Sequence, residues 1–226
     1  MPRREMLHHI ARRIADIDQP HAVRVGIDGP GAAGKTTLAD ELGEVLATQR
    51  PVVRAGIDGF HHPRSHRTRR GPDSVEGYYH DSFDHDAICD NVLTPLGPDG
   101  DGVYRPAVFD FRVDSTVDSP WEQAPADAVL LFEGMFLFRP ELNAHWDFRI
   151  FVHADFETTL MRATRRDLEL FGSDDEVRRK YHTRYIPGQQ MYIDTVRPHA
   201  AADVVIDNNH PHKPAMQWAP FYDTDT

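Results

Sequence analysis

The sequence predicts a doubly wound α/β fold, a mostly parallel sheet between two layers of helices. Three features lead there. A β-rich run, HAVRVGID, passes through a glycine-rich turn straight into the helix-forming stretch TTLADELGEVLATQ. Three apolar runs, at 128–132, 148–152 and 204–206, lack the alternation of a half-exposed strand and read as strands buried on both faces. Strand and helix patterns alternate along the chain.

The elements follow in order. Leu7, Ile10, Ile14 and Ile17 recur at helical spacing, which predicts an amphipathic N-terminal helix over 3–18. A second strand at 51–57 ends at Asp58. The polar stretch from there to about 84 carries Phe60, Tyr78, Tyr79 and Phe83 and reads as a long functional loop. Helical spacing resumes at Ala87, Ile88, Val92 and Leu96, and two short segments around 103–111 and 114–117 suggest a hairpin. Residues 59–118 thus form an insertion between the second strand and the apolar run that ends at Glu133. Helical patterns fill 155–192, broken at 172–175, with a lid at about 166–182. The proline-containing tail, 209–226, is expected to be irregular.

At 226 residues, one core and a single domain over 1–226 are expected. The net charge of −11 argues against nucleic-acid or anionic-membrane partners. No apolar stretch is long enough for a membrane span or a signal peptide, and the lone Cys89 fits a reducing compartment, so a cytoplasmic location is expected. A homo-oligomer is compatible with all of this.

Gly29-Pro30-Gly31-Ala32-Ala33-Gly34-Lys35-Thr36 matches the phosphate-loop pattern G-x-x-x-x-G-K-[ST] in full, and Thr37 follows it. Such a loop turns backbone N–H groups onto a β-phosphate, Lys35 adds a point charge, and the Thr36 hydroxyl suits Mg²⁺. ATP and Mg²⁺ are therefore the expected cofactors. Two carboxylates, Asp58 and Glu133, close strands, where a doubly wound sheet presents its ligands. One is suited to take a proton from an attacking hydroxyl while both stand near the metal. Arg162 and Arg166 lie four apart on one helix face, which either is solvated or borders the triphosphate.

With these residues in hand the chain resembles the uridine kinase family of P-loop nucleoside kinases. The matching pieces include IDGPGAAGKTTLA, SFDHDAICDNVL at 82–93, FDF at 109–111, VLLFEGMFLF at 129–138, IFVHADFETTLMRATRRD at 150–167 and AADVVIDN at 201–208. The resemblance implies a three-layer P-loop fold with a helical lid, an ATP-dependent phosphotransferase and a small-molecule hydroxyl acceptor. It implies that Asp58 is the catalytic base and that Thr36, Asp58 and Glu133 surround the metal. It further implies that Asp84 binds ribose hydroxyls, that Phe109 and Phe111 wall the base, and that Arg162 and Arg166 reach the phosphates. Tyr79 is expected beside the acceptor. His61 stands where relatives carry an aromatic residue, and Asp114 where they carry a base-reading histidine.

The basic segment Arg64, Arg67, Arg69 and Arg70 keeps two readings open, an exposed loop or a site for a phosphate or carboxylate on the acceptor. The leading expectation is a kinase of the 5′-hydroxyl of a uridine- or cytidine-like nucleoside. Its rivals are a kinase of a sugar, sugar phosphate or pantothenate-like acid, and an NTP-binding regulator with no small-molecule acceptor.

Overall fold

The computed structural model describes residues 1–220. Ten strands occur among them: β1 (Val23–Asp28), β2 (Val52–Gly56), β3 (Val103–Tyr104), β4 (Phe109–Asp110), β5 (Ser115–Thr116), β6 (Glu122–Gln123), β7 (Val129–Glu133), β8 (Phe148–His153), β9 (Val204–Asp207) and β10 (Ala215–Trp218). Six form the central sheet in the order β10-β9-β8-β1-β7-β2. All neighbours in it are parallel except β10, which pairs antiparallel with β9. The architecture is the doubly wound α/β class that the buried apolar runs predict.

Alternation along the strands divides the core into two layers. Val129 and Leu131 of β7 face one side with Val25, Ile27 and Ile150, where helices α1 (Arg3–Ala15) and α2 (Lys35–Leu46) pack through Met6, Ile10, Ile14, Leu38 and Leu42. Leu130 and Phe132 face the other side and meet Phe60, Phe136, Phe138 and Trp146. Because β7 lies between β1 and β2, both of its faces and both of its edges are covered. That is why its sequence is apolar without a break.

Local chemistry explains several departures from the expected elements. The N-terminal helix stops at Ala15 with Asp16 as its C-cap, shorter than 3–18. The stretch after Asp58, expected as a long loop, contains helices Arg64–Arg67 and Val75–Asp81, the second capped by Ser74 Oγ, which accepts from the Gly77 N–H. Two nested two-stranded pairs form here, β3 with β6 and β4 with β5, and β6 at Glu122–Gln123 extends this region past the expected end of the insertion at 118. The lid region is a chain of short helices broken at Asp167 and at Gly172, and Ser173 restarts it by capping Asp174–Lys180. The tail expected to be irregular instead supplies β10, because 215–218 can bond the free edge of β9 despite the prolines around it. Residues 221–226 of that tail lie outside the described residues. No helix among the described residues is long and apolar enough to cross a membrane.

Leu131 is fully buried at the sheet centre. Leu131→Ala should lower unfolding free energy by about 2–5 kcal/mol, read from urea denaturation with an unchanged slope.

Candidate active site

The parallel strands present their carboxyl ends on one edge, and the site is assembled there. The phosphate loop leaves β1 and feeds α2. Gly34 sits at φ 97° as the N-cap of α2, a conformation that favours glycine, and a Cβ there would lie 2.5 Å from Asn208 Nδ2. Gly29 is pressed so closely on β8 that a Cβ would meet the Val152 carbonyl oxygen at 2.2 Å. The loop is held from outside as well. Gly31 N–H donates to Gln189 Oε1 (2.7 Å), and Asn208 Nδ2 donates to the Ala33 carbonyl (2.7 Å).

Lys35 is buried inside this turn, with Nζ donating to the carbonyls of Gly29 (2.9 Å) and Pro30 (2.8 Å). Burial pushes its ammonium pKa down, and the charges of Glu133 and Asp28 oppose that shift. Thr36 Oγ1 donates to Glu133 Oε1 (3.2 Å), which brings a hydroxyl and a carboxylate together at the mouth of the loop. Burial raises the Glu133 pKa and Lys35 counters it. Among the described residues no group of three or more His, Cys, Asp or Glu could hold a metal alone. A hydroxyl and one carboxylate do fit Mg²⁺, which normally completes its shell with water and substrate phosphates.

Asp58 lies in the one-turn helix Ile57–Phe60 that follows β2, and it is exposed. Its charge acts on Lys35, Glu133, His61 and Arg166. Those groups come from separate parts of the chain and all lie within reach of that charge. A cavity of about 440 Å³ opens beside the loop, lined by Lys35, Thr36, Thr37, Arg162, Arg166 and Asn208 among others. Arg162 is anchored by the carbonyls of Asn208 (2.8 Å) and Asn209 (3.1 Å). Arg166 is pinned by Asp167 (2.6 and 3.0 Å), which also accepts from the Tyr181 hydroxyl (3.0 Å). Both features of the two readings of this helix face are present: Arg162 and Arg166 line the cavity beside the phosphate loop, and Arg166 is exposed and paired with Asp167.

On the far side of Asp58 an aromatic wall forms. The His61 ring lies 4.6 Å from Phe83 and 4.7 Å from Phe111, and its Nδ1 is 3.1 Å from the Asp58 carbonyl. Burial pushes the His61 pKa down and Asp58 opposes it, which favours a neutral ring. Phe109 is buried in β4. Asp84 caps the helix His85–Ile88, accepting from the Ala87 N–H (2.9 Å), and stays partly exposed 3.7 Å from His62 Nδ1.

Other expected residues have different partners. Asp114 accepts from the Arg64 N–H (2.8 Å) and from Arg67 (3.0 Å), so it ties the hairpin to the basic loop. Arg69 and Arg70 both donate to the buried carboxylate of Asp81 (2.6 and 2.8 Å). Tyr79, expected beside the acceptor, packs into the core against Phe136 (5.3 Å) with the Arg139 guanidinium 4.3 Å over its ring. One position earlier, Tyr78 is the ring whose hydroxyl feels the Asp58 charge, because helical rotation turns adjacent side chains apart. The lid also touches the basic loop. Asp73 accepts from Arg179 (2.9 Å) and Lys180 (2.7 Å), and Arg184 donates to the Pro72 carbonyl (2.7 Å).

A family model described as the phosphoribulokinase / uridine kinase family matches residues 24–213. The chain belongs to this family. It is 31% identical to a uridine-cytidine kinase B of Dictyostelium discoideum, covering 82% of this chain and 74% of that one. It is 27% identical to a uridine kinase of Chlamydia pneumoniae, covering 82% of each. A solved structure from Bacillus stearothermophilus, described as a possible uridine kinase, superposes with a TM-score of 0.71 at 22% identity, covering 89% of this chain and 97% of that one.

Sequence reasoning missed a pair behind the loop. Asp28, at the end of β1 and fully buried, accepts from the Gly29 N–H (2.6 Å), the Phe138 N–H (3.4 Å) and the Tyr192 hydroxyl. Burial raises its pKa from 3.8 to about 6 despite those donors. A carboxylate ending a strand that leads straight into the phosphate loop was the available signal. Its partner lies 164 positions away, so the pairing itself left none. Between those two pKa values the folded chain holds a proton that the unfolded chain releases, so this contribution to stability falls as pH rises from about 4 to about 6. Asp28→Asn should remove that fall, worth up to about 3 kcal/mol for a shift of about two units. The difference between wild-type and variant unfolding free energies at pH 4 and pH 7 measures it.

Proposed function

We propose that the chain is an ATP- and Mg²⁺-dependent kinase that phosphorylates the 5′-hydroxyl of a uridine- or cytidine-like nucleoside. The observation that carries this reading is an exposed carboxylate, Asp58, two residues after Gly56, which pairs in register with Glu133, the acceptor of the Thr36 hydroxyl beside the buried Lys35. The names of the relatives, uridine kinase and uridine-cytidine kinase B, support the acceptor class.

Bound MgATP would supply the phosphoryl group together with a cation that neutralises it. Asp58 then orients the acceptor hydroxyl and takes its proton. Lys35 and the loop amides hold the donor phosphates in place. Thr36 and Glu133 are the residues that would hold Mg²⁺. Arg162 and Arg166 offset charge developing on the transferred group. His61, Phe83 and Phe111 give a planar base an apolar surface, and the half-exposed Asp84 carboxylate suits two adjacent ribose hydroxyls. Asp58→Asn should lower kcat for uridine about 10²–10⁴-fold, with the affinity for a non-hydrolysable ATP analogue unchanged. Wild-type turnover of no ribonucleoside above the level of this variant would end the reading.

One observation favours an acceptor bearing an anion. The Nε atoms of Arg67 and Arg184 are buried without a hydrogen-bond partner where the basic loop meets the lid. On this second reading Arg67→Ala raises KM about tenfold or more for a phosphorylated or carboxylated acceptor. On the nucleoside reading it leaves the KM for uridine within about twofold, and steady-state kinetics with both acceptor types separates them.

A further inference from the structure

The cavity beside the phosphate loop has a second end, and the N-terminal helix closes it. Arg3, the first residue of α1, lines the same cavity as Lys35, Thr36 and Arg162, next to Pro211 and His212. It lies ahead of the stretch 24–213 that matches the family. Its position is fixed on three sides. Nε donates to Glu41 Oε2 of α2 (2.6 Å), and Nη1 donates to Asn208 Oδ1 (3.2 Å) and to the Pro211 carbonyl (3.2 Å). The side chain is 16% exposed, and α1 is anchored below it by the fully buried Met6, Ile10 and Ile14.

These bonds decide what Arg3 has left to offer. A guanidinium recognises phosphate or carboxylate through the N–H donors at its edge, and it recognises heteroaromatic rings through its face. At Arg3 three of the five N–H donors are already engaged, one of them by a carboxylate that offsets its charge, which leaves the two of Nη2 and the guanidinium face. The phosphate end of the cavity, moreover, is served by Lys35, Arg166 and the amides at the start of α2. A volume of about 440 Å³ has room for more than phosphates.

We propose that Arg3 binds the base of the nucleoside triphosphate through the face of its guanidinium, which makes α1 a working part of the nucleotide site. This rests on reading the cavity as the nucleotide site. Asn208 connects the two ends, since it accepts from Arg3 and donates to the Ala33 carbonyl of the phosphate loop.

The test is calorimetric titration of the full-length chain, wild type and Arg3→Ala, with two ligands in the presence of Mg²⁺: a non-hydrolysable ATP analogue and inorganic tripolyphosphate. The expected result is a Kd for the analogue raised about five- to tenfold by Arg3→Ala, with the Kd for tripolyphosphate within about twofold of wild type. An unchanged analogue Kd overturns the proposal. So does an equal loss for both ligands, which would mean that Arg3 acts through Asn208 on the phosphate loop. Should Arg3→Ala unfold, Arg3→Met keeps the apolar stem and is read in the same way. Wild type that binds tripolyphosphate but not the analogue also overturns the assignment of Arg3, whereas wild type that binds neither removes the nucleotide reading itself. Neither ligand involves the acceptor, so the outcome is independent of whether a nucleoside is phosphorylated.

Discussion

The burial of Lys35 is the constraint on which the rest of the site depends. An ammonium taken out of water costs several kcal/mol unless charge of the opposite sign is close, yet Nζ here bonds only to two carbonyls of its own loop. The compensating charges stand one step further off. Asp28 closes β1, Glu133 closes β7, and Asp58 follows β2, so three neighbouring parallel strands deliver one carboxylate each toward the same point. Parallel strands end on a common edge, and the fold thereby gathers acids from distant stretches of sequence without any of them being adjacent in the chain. Each acid is then differentiated by its surroundings. Asp28 is sealed in, Glu133 is hydrogen-bonded at the rim, and Asp58 remains open to solvent.

What was legible in the sequence follows from the range of the interaction involved. The phosphate loop is local: eight consecutive residues specify their own turn, and the strand and helix around them complete the signal. Glu133 and Asp58 could be located because each directly follows an apolar run, and strand ends are where such sheets bind. The sheet class was legible in β7, since burial on both faces leaves a continuous apolar string, and in β8, where Arg149 is the one polar interruption before His153. Contacts closed by the tertiary fold were not. The Asp28–Tyr192 pair, the capture of Arg69 and Arg70 by Asp81 and that of Arg67 by Asp114 join segments that no spacing rule connects. The choice between Tyr78 and Tyr79 turned on the phase of a seven-residue helix, too short for its periodicity to be read. The edge strand β10 was hidden because its partner, not its own composition, makes it a strand.

The side chains that hold the loop in shape come from far along the chain rather than from the motif. Gln189 and Asn208 each fix one backbone group of the loop, and Tyr192 supports the carboxylate at its base. The cradle is therefore shaped before any ligand arrives, which lowers the ordering cost of binding. Residues 189–208 thus hold a motif at 29–36 in shape, although nothing in the motif names them.

The bonds between Asp73, Pro72 and the lid have a mechanical consequence. Arg179, Lys180 and Arg184 tie the helical stretch 174–185 to Pro72 and Asp73, just after the basic loop. The two segments are thus geared together. The ionic teeth of that gear are partly exposed, so their grip weakens as ionic strength rises, while the Arg184–Pro72 bond is less affected. Salt concentration thereby sets how firmly these two segments hold each other.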